Sequence, residues 1–217
     1  MSRLVTFGCS HTYGEGQIDC LNSQGPNGVG MADKPSQYAW PTLLGKMLDK
    51  KVVNLGRPGC SNRYISQQIL NTTIEKDDII VILWTEFNRT TIFPTESIEL
   101  AKVATNIHPT KNTRVSRSYY KWIHNPYNSF LESLEAVNLA NYALQKHRHV
   151  YNFKADFASG RNIGALDDAY EYPKWNKVTL INQSLHYVDL APDNAHPGPE
   201  SQKLIARDML KYVKETK

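Results

Sequence analysis

Apolar residues in this chain fall in short runs that alternate with stretches of helical spacing. Leu4 to Phe7 is a brief apolar run stopped by Gly8, the pattern of a strand that exits into a turn. Pro41 can open a helix on which Leu43, Leu44, Met47 and Leu48 share a face. Val52 to Gly56 reads as a second strand, closed by Gly56, Pro58 and Gly59. Ser61 is placed to cap a helix carrying Ile65, Ile69 and Leu70. Ile79 to Leu83 is apolar at every position, as a central strand of a parallel sheet must be when both its faces are covered.

The middle of the chain is less regular. Residues 90 to 126 scatter prolines and basic residues among Tyr119, Tyr120 and Trp122. Helical spacing returns from Asn128 through Phe130, Leu134, Val137 and Leu144. His149 to Phe153 reads as a fourth strand and Val178 to Ile181 as a fifth. A last helix from Pro199 points Leu204, Ile205, Met209, Tyr212 and Val213 inward. Strands alternating with helices predict an α/β fold, a parallel sheet covered on both faces. Functional groups in such sheets collect at the carboxyl ends of the strands.

Composition narrows the classes. A chain of 217 residues, 41% hydrophobic and 21% charged, suits one domain spanning 1–217. The net charge of +4 is too mild to argue for nucleic acid. No apolar run nears the roughly 18 residues of a membrane span, and the first residues turn polar too early for a signal peptide. Cys9, Cys20 and Cys60 cannot all pair, which fits a reducing compartment and a cytoplasmic setting. No Cys-x-x-Cys or His-Glu-x-x-His supports a metal site, and nothing calls for a cofactor.

Four segments lie at strand exits or before the last helix. Gly8-Cys9-Ser10-His11-Thr12 holds a serine where a ligand can reach it, although alone Ser10 reads as a turn or helix cap. Position 12 is threonine, so this is not a Gly-x-Ser-x-Gly elbow. Asp193-Asn194-Ala195-His196 spaces a carboxylate to fold back on an imidazole, or else to cap the helix that follows. Asn54-Leu55-Gly56-Arg57-Pro58-Gly59 can bring backbone N–H groups close to a ligand, or simply turn the chain. Trp84-Thr85-Glu86-Phe87-Asn88-Arg89 offers the Asn88 amide, or is an ordinary polar strand exit.

Together, and in this order, the four segments resemble the SGNH hydrolases, also called GDSL-like esterases and lipases, and among them a divergent branch of bacterial or phage type. The resemblance spans residues 4 to about 213. It implies a three-layer α/β/α, flavodoxin-like fold with a five-stranded parallel sheet and helices on both faces. It further implies Ser10 as nucleophile, His196 as general base and Asp193 as its orienting partner. The Ser10 and Gly59 N–H groups and the Asn88 side chain would form the oxyanion hole. Two positions depart from the family pattern: Cys9 replaces the aspartate of Gly-Asp-Ser, and no glycine precedes Asn88 in a Gly-x-Asn-Asp block.

The expected activity is hydrolysis of a small ester, such as an O-acetyl group on a carbohydrate, through an acyl-enzyme. An acyltransferase of the same fold, or a catalytically silent member that binds carbohydrate or nucleic acid, is the alternative. The expected partner is the ester substrate, without membrane. A phage-encoded chain would work in the host cytoplasm or the virion.

Other residues draw plainer expectations. His11 is expected to face solvent, and His186 to pack beside Tyr187. Cys9 should point away from Ser10, and Cys60 should be a small buried thiol. The Gly-rich stretch between Ser10 and Pro41 reads as a long loop walling the site. Lys111, Arg114, Arg117 and Lys121 read as a solvated excursion anchored by a few aromatics rather than as a binding patch.

Overall fold

The computed structural model describes residues 2–22, 30–31, 34–92, 105–107, 109, 113–156 and 178–215. In chain order the elements begin with β1 (Arg3–Gly8), α1 (Ser10–Tyr13), a 3-10 turn Ile18–Cys20, and the short strands β2 (Leu21–Asn22) and β3 (Gly30–Met31). Then come α2 (Trp40–Leu48), β4 (Lys51–Asn54), α3 (Asn62–Leu70), β5 (Ile79–Trp84), β6 (Thr90–Ile92) and β7 (Thr105–Ile107). The chain finishes with α4 (Arg114–Trp122), α5 (Pro126–Ala143), β8 (Val150–Asp156), β9 (Ile181–Ser184) and α6 (Pro199–Glu215).

Five strands form one parallel sheet in the order β4-β1-β5-β8-β9. This is the flavodoxin-like order, whose topological switch point lies between β1 and β5. Leu4 of β1 pairs with Val52 of β4 on one side and Ile79 of β5 on the other, which fixes the register of the three strands that matter most. Helices α3 and α5 pack together on one face, and α2 and α6 on the other.

The alternation of β5 explains why two helical layers are needed. Ile80, Ile82 and Trp84 enter the core beneath α3 and α5, while Val81 and Leu83 enter the core beneath α2 and α6. Fully burying each such side chain contributes about 1.5 to 3 kcal/mol. The Trp84 indole N–H is satisfied inside the core by Asn152 Oδ1 at 3.0 Å. Beyond one edge, Asp78 is sealed from solvent and takes the Arg3 guanidinium at 2.6 Å, which ties β1 to the entry of β5.

The caps bear out the expected helix starts. Ser61 Oγ accepts from Tyr64 N at 3.3 Å, Pro41 sits in the first turn of α2, and α6 begins at Pro199. Several details differ. The fifth strand is shifted onward to Ile181–Ser184, because its partner β8 runs on to Asp156 and carries the pairing with it. Met47, Leu70 and Tyr212 face outward. Trp40 and Leu44 set the buried face of α2, and the rings of Phe153 and Tyr212 meet at a steep angle, 5.6 Å between centroids. The stretch after Ser10 is ordered where it is described: Asp19 accepts from Ser36 Oγ at 2.6 Å and Gln37 N at 2.7 Å. In the basic aromatic region, Lys111 lies outside the described residues. Tyr120 is an anchor there, whereas Trp122 is exposed and Lys121 lies over its ring.

Candidate active site

Ser10 is the first residue of α1, directly after β1, and is buried. The chain turns there because Gly8 leaves no room for a side chain: a Cβ would strike Thr12 Oγ1. Cys9 then caps α1 through its carbonyl, which accepts from Thr12 and Tyr13, and its side chain enters the core beneath α3. The Ser10 carbonyl accepts from Gly14 N at 2.9 Å and Glu15 N at 3.0 Å, so the next turn folds straight back on the serine.

That turn is the seat of the Asp193–His196 pair. Asp193 Oδ2 lies 2.6 Å from His196 Nδ1, and Asp193 Oδ1 accepts from Ala195 N and His196 N at 3.0 and 3.1 Å. Burial works to raise the Asp193 carboxyl, but the Ala195 amide and the His196 ring and amide hold it below its ordinary value. Asn194, with a positive φ of 55°, bends the loop so that this closure is possible. Gly16, with φ 83°, lies so close that a Cβ there would meet the Asp193 carboxyl, and Gln17 Nε2 donates to Pro197 O at 2.6 Å. Residues 14–17 therefore clasp the loop from the Ser10 side.

The alternative role for Asp193, capping the last helix, belongs to another residue. Asp189 accepts from Glu200 N and Ser201 N at 3.0 and 2.8 Å and so caps α6. Asp193 instead hydrogen-bonds His196 and the amides of its own loop.

Gly59 follows β4 in a turn closed by Cys60 N to Arg57 O at 3.3 Å. Pro58 at the second position and Gly59 with φ 70° at the third are the residues a type II turn demands. Arg57 N and Cys60 Sγ both reach Gly8 O, at 2.8 and 3.5 Å, which holds this turn against the end of β1. Asn88 lies in the turn beyond β5. Its carbonyl accepts from Tyr120 Oη at 2.6 Å, and its Oδ1 is buried without a hydrogen-bond partner. The first residue after β5, Thr85, has both its backbone N–H and C=O taken by the Asn62 side chain, at 2.8 and 3.0 Å.

Some residues near the pair had no signal in the sequence. His11 is buried, not solvent-facing: its ring lies 5.5 Å from that of His196, and its Nε2 is 3.0 Å from Tyr187 Oη. Burial, with the nearby His196 and Arg89, pushes His11 down to about 3, so it stays neutral at ordinary pH. Glu15 brings Oε2 to 3.6 Å from His196 Nε2, and burial raises its carboxyl. His186, expected beside Tyr187, meets Asp208 at 2.6 Å. Cys60 is fully buried as expected, and burial raises its thiol. Among the described residues no three His, Cys, Asp or Glu are grouped to hold a metal ion, and no helix is long and apolar enough to cross a membrane.

The fold is shared with solved structures described as esterases and as members of the lipolytic G-D-S-L family. Solved structures with this fold include an acetyl xylan esterase from Butyrivibrio proteoclasticus, at TM-score 0.56 and 13% identity, covering 99% of this chain and 64% of that one. A carbohydrate acetylesterase family member from Sinorhizobium meliloti aligns at TM-score 0.51 and 12% identity over 100% of this chain and 99% of its own. A member of the lipolytic G-D-S-L family from Veillonella parvula aligns at 0.50 and 11%, over 99% of each chain. This chain thus spans less than two thirds of the acetyl xylan esterase but nearly all of the other two. No family model matches the sequence, and no curated protein does.

Proposed function

We propose that the protein is a serine esterase that hydrolyses small esters through Ser10, His196 and Asp193. The observation that carries this reading is the Asp193–His196 hydrogen bond of 2.6 Å, in a loop clasped by the turn that follows Ser10. An ionised Asp193 at Nδ1 fixes the imidazole tautomer in which Nε2 carries the lone pair. His196 takes the Ser10 proton as Oγ attacks the ester carbonyl, and then returns that proton to the departing alcohol oxygen. Water, deprotonated by the same imidazole, attacks the acyl carbon and releases the acid with Ser10 restored.

The negative charge on the tetrahedral intermediate needs fixed donors. The Ser10 and Gly59 N–H groups are the backbone candidates, and the Asn88 amide is the side-chain candidate. The structures of similar fold described as acetyl xylan esterase and carbohydrate acetylesterase support a short acyl group on a polar carrier, such as an O-acetylated carbohydrate. The test is acetate release from p-nitrophenyl acetate and from an acetylated oligosaccharide by the wild type and by Ser10→Ala. Turnover should vanish in the variant while its thermal melt stays the same. Equal turnover by the two proteins would overturn the reading.

A further inference from the structure

We infer that Arg89 supplies a cationic donor to the oxyanion, in addition to the Ser10 and Gly59 amides. This deepens the esterase reading and rests on it. Arg89 follows β5, and β5 pairs with β1 up to Gly8 and Leu83, so both exits open on the sheet's switch point. Its side chain is only 12% exposed, and it is held along one edge: Nε lies 3.3 Å from Glu86 Oε2. Among the described residues no other acceptor meets the guanidinium. A charge so withdrawn from water, with a single carboxylate partner and its terminal nitrogens free, is suited to a second anion.

The position of that charge is the second argument. Thr91, two residues after Arg89, lies with its Oγ1 3.3 Å from Ser61 N and 2.7 Å from Ser61 Oγ, which ties this segment to the turn that carries Gly59, and the Arg89 charge helps to lower His11, next to Ser10. The cation thus sits on a segment held to the Gly59 turn, and its charge reaches the residue after Ser10. Asn88 is less well prepared. An amide donor is steadied when its own oxygen is hydrogen-bonded, and Asn88 Oδ1 is buried with no partner. The preceding Phe87 packs edge-on against Phe130 of α5, which turns that part of the exit toward the helical layer.

As Ser10 Oγ bonds to the carbonyl carbon, the C=O π pair moves onto oxygen, and the guanidinium is already in place to meet it. When the intermediate collapses, the pair returns and the alkoxide leaves with the proton from His196. Arg89 exchanges no proton and needs no co-reactant.

The test compares wild type, Arg89→Met and Arg89→Lys for kcat and KM with p-nitrophenyl acetate, and for inhibition by phenylboronic acid, which forms a tetrahedral adduct with an active serine. Arg89→Met should lose about 10²-fold in kcat with KM within about threefold, and boronate affinity should fall with kcat. Arg89→Lys keeps the charge but not the fork, so it should lose about tenfold in both. If Arg89→Met does not fold, Arg89→Lys decides: a parallel loss in kcat and boronate affinity supports the inference, and wild-type values overturn it. A kcat loss below about threefold in folded Arg89→Met, or a loss confined to KM, also overturns it. Should the wild type turn over ester and be labelled at Ser10 while Arg89→Met is unaffected, only the role of Arg89 falls. A wild type with neither activity removes the esterase reading and this inference together.

Discussion

Two segments carry the expected partners of Ser10, and they are built differently. The Asp193–His196 loop is closed by local spacing: a carboxylate three residues before an imidazole, two amides on one oxygen and the ring on the other. The β5 exit is assembled from distant parts. Asn62 of α3 pins Thr85, Tyr120 of α4 holds the Asn88 carbonyl, and Ser133 of α5 donates to Phe87 O at 3.5 Å. A loop that closes on itself keeps its pattern in the sequence. An exit held by three helices can move its functional side chain by a residue or more without leaving a local trace.

The largest effect should come from the self-contained side. Asp193→Asn keeps the size of the side chain but favours the wrong imidazole tautomer, so kcat should fall about 10³ to 10⁴-fold with p-nitrophenyl acetate. A loss smaller than tenfold would mean that the pair is structural and would level the two regions. Asn88→Ala probes the other side. As a transition-state donor it should cost about 10² in kcat and little in KM. A loss under about threefold would remove Asn88 from the hole and leave the β5 exit to Arg89.

This difference also explains what the sequence carried. The five strands, their parallel layering and the start of α6 at Pro199 follow from periodicity and punctuation, which act over a few residues. The Asp193–His196 contact was legible for the same reason. Burial of His11 was not, because it depends on Tyr187, 176 residues away, and on His196. The nearness of Glu15 to His196 Nε2 was hidden likewise, since only tertiary folding lays the turn after α1 across the loop before α6. The two glycines of Gly14-Glu15-Gly16 were visible, but not that Gly16 gives way to a carboxylate.

Gly16→Ala tests that clasp at smaller scale. The new methyl group meets the Asp193 carboxyl, and the left-handed backbone adds about 1 to 2 kcal/mol of strain. Turnover should fall roughly tenfold and the melting temperature should drop, whereas a variant with wild-type kinetics would show that the clasp is slack.

The smallest expected effect is one of pH on stability. Folded His11 has its pKa depressed to about 3, while in the unfolded chain it titrates near 6.5. Its contribution to stability is therefore complete above about pH 6.5 and is lost progressively as pH falls toward 3. Asp193 also has a depressed pKa, so its contribution is present above about 3.9 and fades only below that. Urea melts between pH 7.5 and 4.5 thus lie above the Asp193 window, although the raised Glu15 carboxyl acts there in the opposite direction to His11. His124, also lowered by burial, acts in the same direction as His11, so the comparison needs His11→Gln. The pH slope should be shallower in His11→Gln than in wild type. An identical slope would show that His11 is not protected from protonation.

Labelling with a fluorophosphonate probe, followed by peptide mass spectrometry, tests the central claim most directly, because only an activated serine hydroxyl reacts readily. A single adduct on Ser10, lost in His196→Ala and in Ser10→Ala, is the predicted result. A folded wild type that takes up no probe, or carries it on Cys9 or elsewhere, would contradict the account.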